Sequence, residues 1–350
     1  MKKLSKIIGS IVAVVLILLL VFVLFLSINE YKPKEVEQLT PISGHKKISQ
    51  DDLMSLLSFN IGYAGLSDSE DFFMDGGKKI EPATKQLVEE NLEGITDVLQ
   101  DNPADVYLLQ EVDHDSKRSK YINQEDYLTE KLGMDSVFAY NFNVPYVPFP
   151  LPPIGRVESG IMTMTDFEMT SASRIALPNP FKWPISMANL KRALLETRYE
   201  VEGTDKELVI YNLHLEAYDN GDGKVEQSKL LKKYLEQEYK KGNYVIAGGD
   251  FNQVFEGSHV FPDTKQEGWH PGNLEKTDIP AHFTFAFDDE YPTVRVLNHE
   301  YTGDYNTSQV YVIDGFIVSD NVNVKEVSVL NQNFRYSDHH PVKMEVELGK

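Results

Sequence analysis

The 22 consecutive residues from Ile7 to Ile28 carry no charge. As a helix rising about 1.5 Å per residue they extend roughly 33 Å, enough to cross the hydrocarbon core of a bilayer. A cleaved signal peptide has a shorter apolar core that ends in small residues. This run instead ends Leu24-Phe25-Leu26-Ser27-Ile28-Asn29-Glu30, so a retained anchor is expected. Lys2, Lys3 and Lys6 precede it and Glu30 follows, with Lys32 and Lys34 soon after. The excess of basic residues on the N-terminal side places residues 1–6 in the cytoplasm and 7–28 across the cell membrane as a single pass. Everything beyond Glu30 is then outside.

Residues 29–52 carry Pro33, Pro41 and Gly44 with no sustained period and are expected to be a spacer. From residue 53 to 350 the pattern alternates. Leu53–Ile61, Ala104–Gln110, Ser159–Met164, Leu194–Val201 and Glu207–His214 have strand character, as do Asn243–Gly249, Val310–Val318, Val322–Leu330 and Val342–Leu348. Thr84–Asp101 places Leu87, Asn91, Leu92, Ile95, Val98 and Leu99 at helical spacing, and Glu226–Lys241 is a second helix. Many strands with few helices predict two sheets packed face to face with helices outside. Tyr140–Pro153 holds Phe142, Tyr146, Phe149 and five prolines. Proline argues against a central strand or a helix there. A rigid surface loop is the plain expectation, and an aromatic lip over a substrate, or a lipid-facing wedge, is the functional one.

The formal net charge is −20. Such a field repels phosphate backbones at long range, which excludes binding of nucleic acid by a broad basic face but not a local metal bridge. The chain has no cysteine, so disulfides, thiolate metal sites, a cysteine nucleophile and a lipoprotein anchor are excluded.

Five polar clusters stand where strands end. They are Ser58-Phe59-Asn60-Ile61-Gly62, Leu108-Leu109-Gln110-Glu111-Val112-Asp113 and Asn212-Leu213-His214-Leu215-Glu216, then Gly248-Gly249-Asp250-Phe251-Asn252. The last is Ile313-Asp314 together with Ser337-Asp338-His339-His340-Pro341. Singly, Asn60 could serve a turn, Glu111 a solvated edge and His214 a satisfied core position. Asp250 and Asn252 lie two apart, so in extended chain they address one volume. Phosphoester hydrolysis needs an oriented water, charge relief at phosphorus and a proton for the leaving oxygen. Mg²⁺ takes oxygen ligands and acts as a Lewis acid. A carboxylate can orient the water, an amide can donate to developing charge, and a carboxylate-supported histidine can hold phosphate or move a proton.

In this order the clusters resemble the endonuclease/exonuclease/phosphatase superfamily, which includes pancreatic-type deoxyribonucleases, abasic-site endonucleases, neutral sphingomyelinases and inositol polyphosphate 5-phosphatases. The resemblance spans about Leu53 to Leu348 and implies a four-layer α/β sandwich. It implies Mg²⁺, with Mn²⁺ as a substitute, held by Asn60 and Glu111, with Asp338 at a second metal position. By the same resemblance Asp250 orients or deprotonates the water and Asn252 contacts phosphate. His339 is similar to the catalytic histidine, Asp314 to the acid that supports it, and His214 to a second active-site histidine. Arg192 would contact phosphate or serve the structure, and Gln227 is structural. His340 is expected to pack or cap the turn.

The expected function is a membrane-anchored, metal-dependent phosphodiesterase or phosphatase, working as a monomer on nucleic acid or a phospholipid headgroup. The alternatives are a nuclease for extracellular DNA or RNA, a sphingomyelinase-like phospholipid hydrolase, and a surface binding module without catalysis. No basic DNA-binding loop and no 5-phosphatase headgroup signature is visible.

Overall fold

The computed structural model describes residues 2–50, 52–82, 84–219, 221–265 and 268–349. The uncharged N-terminal run is one helix, α1 (Lys2–Ile28), long and apolar enough to cross a membrane. Residues 3–21 are exposed throughout.

Two short strands follow, β1 (Val36–Leu39) and β2 (Ile48–Ser49), and then β3 (Met54–Asn60). The next elements are α2 (Lys85–Asp101), β4 (Val106–Asp113), α3 (Gln124–Leu132), β5 (Ser136–Val147) and β6 (Gly155–Thr165). β7 (Ser171–Ala176), β8 (Ala193–Glu202), β9 (Glu207–His214), α4 (Asp222–Lys240) and β10 (Tyr244–Asp250) complete the middle of the chain. The last part holds β11 (Gln253–Phe255), β12 (Gly272–Leu274), β13 (Phe283–Ala286) and β14 (Val294–Arg295). It ends with β15 (Val310–Tyr311), β16 (Asp314–Ser319), β17 (Val322–Val329) and β18 (Val342–Leu348).

One large sheet has the order β17-β18-β3-β4-β6-β5, and the other runs β1-β7-β8-β9-β10-β16-β13 with β2 beside β8. Both are mixed. β3 pairs parallel with β4 and β9 with β10, while most other neighbours are antiparallel. The alternation of side chains along each strand divides the apolar residues between layers. Met54 and Leu56 of β3, Ile210 of β9, Ile246 of β10 and Phe316 of β16 fill the space between the sheets. Leu57 and Phe59 of β3 face the other way and pack against Val88, Leu92, Ile95 and Leu99 of α2. Val245 and Ala247 of β10 pack outward with Leu231 and Leu235 of α4. Helix, sheet, sheet, helix is the four-layer sandwich expected from the sequence.

α2 starts where the Thr84 side-chain oxygen accepts from the Leu87 N–H at 3.1 Å. Such a cap stabilises a helix by about 1 kcal/mol. A buried amide pair ties the two sheets together. Gln110 Nε2 donates to Asn212 Oδ1 at 2.9 Å, and Asn212 Nδ2 donates to the Met162 carbonyl at 2.9 Å.

Three expectations need correction. Residues 29–52 are not a free spacer, because β1 pairs antiparallel with β7 and β2 parallel with β8. Tyr140–Pro153 is not a loop throughout, because β5 extends to Val147. β5 is an edge strand, and Pro145 falls at a break in its register with β6, where no ladder donor is required. Finally, Val310–Val318 is two strands rather than one. The Ile313 and Asp314 N–H groups both donate to Thr293 Oγ1, at 2.9 and 3.0 Å, and this breaks the run.

Candidate active site

The candidate residues continue the parity of the inter-sheet core. Asn60 follows Leu56 by four positions on β3, His214 follows Ile210 by four on β9, Asp250 follows Ile246 by four on β10, and Asp314 precedes Phe316 by two on β16. An even spacing keeps a side chain on the same face of a strand. All four therefore point between the sheets, at the end where apolar filling stops. Register then sets them side by side. Asp250 is the partner of His214 in the parallel ladder and of Asp314 in the antiparallel one.

Glycine makes this approach possible. Gly249 has φ +147°, and a Cβ there would lie 2.0 Å from the Leu213 carbonyl oxygen. No side chain fits beside that strand. Glu111 is placed by a different device. The register of β4 on β6 shifts between Gln110 and Val112, and Glu111 takes φ +54° at this bulge. The bulge turns its carboxylate out of the strict alternation and into the cavity.

Asp250 is the hub. Its Oδ2 accepts from Asn60 Nδ2 at 3.0 Å and lies 3.4 Å from His214 Nε2 and 3.7 Å from His339 Nε2. Its Oδ1 accepts from the Asn252 N–H at 2.8 Å. Burial pushes the Asp250 carboxyl up to about 7, opposed by the nearby His339 and aided by Asp314. Asn252, at φ +51°, donates its amide to the Leu215 carbonyl at 2.9 Å and lines the same cavity.

His339 lies on the turn before β18. Its Nδ1 is 2.8 Å from Asp314 Oδ2, which fixes the ring and leaves Nε2 toward Asp250 and Asp338. Burial alone would lower its pKa, but the carboxylates of Asp314, Asp338 and Asp250 hold it well above the usual histidine value. The opposite holds for His214. Burial, with the positive charges of Arg192 and His339 nearby, keeps it well below that value, so it is neutral. Asp338 is pushed up to about 7 by burial and by Glu111, against His339. The turn is pinned by Ser337, whose hydroxyl donates to the Asn60 carbonyl at 2.8 Å.

His340 points elsewhere. Its Nδ1 lies 2.8 Å from the Pro292 carbonyl, its Nε2 accepts from the Phe334 N–H at 3.2 Å, and its ring stacks on Phe334. It holds the turn. Arg192 is buried, with Nε 3.2 Å from Glu216 Oε2 and Nη1 donating to the His214 carbonyl at 3.1 Å. It reaches the cavity wall while bracing the end of β9. Gln227 accepts from the Glu216 N–H and donates to the Pro178 carbonyl, a wholly structural pair of contacts.

Other residues at the site were not apparent from the sequence. Arg118 makes a double contact with Asp113 and lies over the Tyr63 ring, 3.8 Å from its centre, with Glu111 at 4.0 Å. Asp75 accepts from the Tyr218 hydroxyl at 2.8 Å and from the Leu297 N–H at 3.1 Å. All of these except Asp113 line the cavity. Isolated in loops, they carry no spacing signal.

Two acidic groups could take a cation. Ligand atoms of Asp250, Asp314 and His339 lie within 4.8 Å of one another. There, however, the Asp314–His339 hydrogen bond and a positively charged ring already occupy the place of a metal. Glu111 is the better candidate. Its closest polar contacts among the described residues are Asn60 Nδ2 at 3.4 Å and Arg118 at 4.0 Å, which leaves its oxygens open to the cavity. Glu111 and the crowded carboxyl of Asp338 offer the hard oxygen donors that Mg²⁺ or Mn²⁺ accepts, whereas Asn60 turns its Nδ2 toward Glu111 and its Oδ1 accepts from the Gly62 N–H at 3.0 Å. The donor set fits such an ion.

The family model described as Endonuclease/Exonuclease/phosphatase family matches residues 57–339. A search of curated proteins by sequence finds no match. Among solved structures, an endonuclease/exonuclease/phosphatase from Beutenbergia cavernae has 18% identity and a TM-score of 0.58, covering 85% of this chain and 72% of that one. One from Bacteroides vulgatus has 15% identity and a TM-score of 0.55, covering 85% of this chain and 100% of that one. The human Nocturnin catalytic domain with bound sulfate anion has 14% identity and a TM-score of 0.51, with 87% and 96% covered. At these identities the likeness is one of fold.

Proposed function

We propose that this chain, which belongs to the endonuclease/exonuclease/phosphatase family, hydrolyses a phosphoester by attack of water on phosphorus with a divalent metal bound at Glu111. Members of the family are generally hydrolases of phosphoesters and generally depend on a divalent metal. The observation that carries the proposal is the convergence on Asp250 Oδ2 of Asn60, His214 and His339, at 3.0, 3.4 and 3.7 Å.

In this scheme Asp250 is the residue that orients the water and takes its proton. A carboxyl near 7 is suited to that exchange at neutral pH. Asn60 and the Asn252 N–H hold the carboxylate in place from two sides. Neutral His214 offers a second hydrogen-bond partner without adding charge. His339 stays protonated and, braced by Asp314, donates Nε2–H to a phosphoryl oxygen as charge builds there. Glu111, with Asp338 beside it, would hold the metal, which when bound supplies Lewis-acid relief of charge on the phosphate. Every position in this set is intact, so a binding module without catalysis has no observation in its favour.

The test is turnover of a soluble phosphodiester by the full chain. We expect activity with Mg²⁺, loss with chelator and recovery on adding Mg²⁺ back. Glu111→Gln should need a higher Mg²⁺ concentration, and should also lose the rise in melting temperature that Mg²⁺ gives the wild type. Turnover indifferent to chelator would sink the proposal.

A further inference from the structure

The cavity that holds Asp250, Asp338 and His339 does not stop at them. It has a volume of about 720 Å³ and extends to α1, where Leu19, Phe22, Val23 and Leu26 form its wall. Those four lie at spacings that share one helix face. Phe22 meets the Tyr146 ring edge-on at 6.0 Å between centres, and Ser27 Oγ donates to Met187 Sδ at 2.9 Å. Just beyond the helix, Glu30 Oε1 lies 3.2 Å from Lys191 Nζ. The opposite wall comes from Phe142, Val147, Phe149 and Ile154, and from Ile185 and Met187.

The depth of that wall has a consequence. Leu19 to Ile28 spans roughly 14 Å of helix. If the uncharged run from Ile7 to Ile28 fills a hydrocarbon core about 30 Å thick, the protein packed against Leu19–Leu26 sits at or below the headgroups. The segments that would be immersed suit that place. Val144–Gly155 contains no charged residue. Phe149 and Ile185, which line the cavity, are 71% and 61% exposed, and Leu151 and Trp183 of the same two segments are 78% and 66% exposed, far more apolar surface than water favours. Lys182 beside Trp183 is the pairing found at a membrane interface.

We propose that the site draws a lipid phosphoester sideways out of the bilayer, its hydrocarbon chain lying in the groove between α1 and the 147–154 and 181–188 segments and its phosphate at Asp250 and His339. This rests on the hydrolase function proposed above. The groove is continuous with the membrane-crossing helix, so a hydrocarbon chain need not pass through water to enter it. The net charge of −20 disfavours a nucleic-acid polyanion at the same mouth. In the reaction, water forms a new P–O bond, the P–O bond to the leaving alkoxide breaks, and that alkoxide takes up the proton the water gave up. One water is consumed for each ester cleaved.

The test uses the full chain reconstituted in vesicles of phosphatidylcholine, phosphatidylethanolamine, phosphatidylglycerol and sphingomyelin in equal parts. Turnover of vesicle lipid, followed by phosphorus NMR, is divided by turnover of soluble bis(4-nitrophenyl) phosphate. The ratio should fall roughly tenfold or more in the double variant Leu151→Glu, Trp183→Glu, since each loses an apolar side chain from the interface. Val23→Trp, which narrows the groove away from the catalytic residues, should lower the same ratio. Brominated lipid should quench wild-type tryptophan fluorescence, and the quenched part should vanish in Trp183→Phe. Cleavage of the soluble ester without vesicle lipid, an unchanged ratio in the variants, or preference for an oligonucleotide would overturn lateral entry and leave the hydrolase standing. Failure on every substrate, the soluble ester included, would remove both.

Discussion

Asp250 and His214 are direct partners on adjacent parallel strands, and their side chains meet with His214 Nε2 3.4 Å from Asp250 Oδ2. The contact follows from backbone register. β9 and β10 run side by side, each ends on a polar residue, and both residues inherit the inter-sheet face from the apolar residues before them. Asn60, His214, Asp250 and Asp314 are thus placed by strand register rather than by loops.

That placement makes Asp250→Asn informative. The amide keeps the shape of the side chain, and its single oxygen can still accept from either Asn60 or the Asn252 N–H, though not from both. It cannot take a proton from water. We expect turnover of a soluble phosphodiester to fall by about 10²–10⁴-fold. The melting temperature should stay within a few degrees of wild type, because a buried carboxyl with a raised pKa gives the fold little to lose. Turnover within a few-fold of wild type would show that another carboxylate orients the water.

The strand-end residues were legible in the sequence because periodicity of two survives burial. Asn60, His214, Asp250 and Asp314 could be seen as polar endings to apolar runs, and the two outer helices as helical spacing. Glu111 was visible as a residue but not as a bulge. What was not legible depends on partners far along the chain. Pro145 looked like a strand breaker, yet an edge position asks nothing of its missing N–H. β1 and β2 gain their place from backbone pairing with β7 and β8, which leaves little trace in a stretch of mixed residues. Arg118 and Asp75 meet the site through loops, where no period operates.

Two adjacent histidines should separate cleanly. His339→Gln removes the group aimed at phosphate and should cut turnover by about 10²-fold or more, with the fold intact. His340→Phe keeps the stack on Phe334 but leaves the Phe334 N–H and the Pro292 carbonyl unpaired. Two buried groups left without partners cost about 2–6 kcal/mol together. Its melting temperature should drop clearly, while turnover measured well below that temperature stays close to wild type. Thermal melts and kinetics on the same two preparations decide the matter. If His340→Phe is fully stable and inactive, the roles of the pair are reversed.

The acid limb of the stability curve should depend on Glu238, far from the cavity. Its carboxylate receives Arg198 Nη2 at 2.7 Å, Lys241 Nζ at 2.6 Å and Asn243 Nδ2 at 2.8 Å, joining α4 to the middle of β8 and to the residue before β10. Burial would raise its pKa, but these three hydrogen bonds outweigh burial and lower it below the ordinary glutamate value of 4.5. The unfolded chain therefore takes up this proton before the folded one does. The contribution is complete above pH 4.5 and is lost as pH falls through the lower folded value. Glu238→Gln should melt at a lower temperature than wild type at pH 7. The gap between the two should narrow as the pH is taken from 5 to 3, because acid removes from the wild type what the substitution has already removed. A gap that stays constant over that range would mean that the Arg198 and Lys241 contacts hold no net charge-dependent stability.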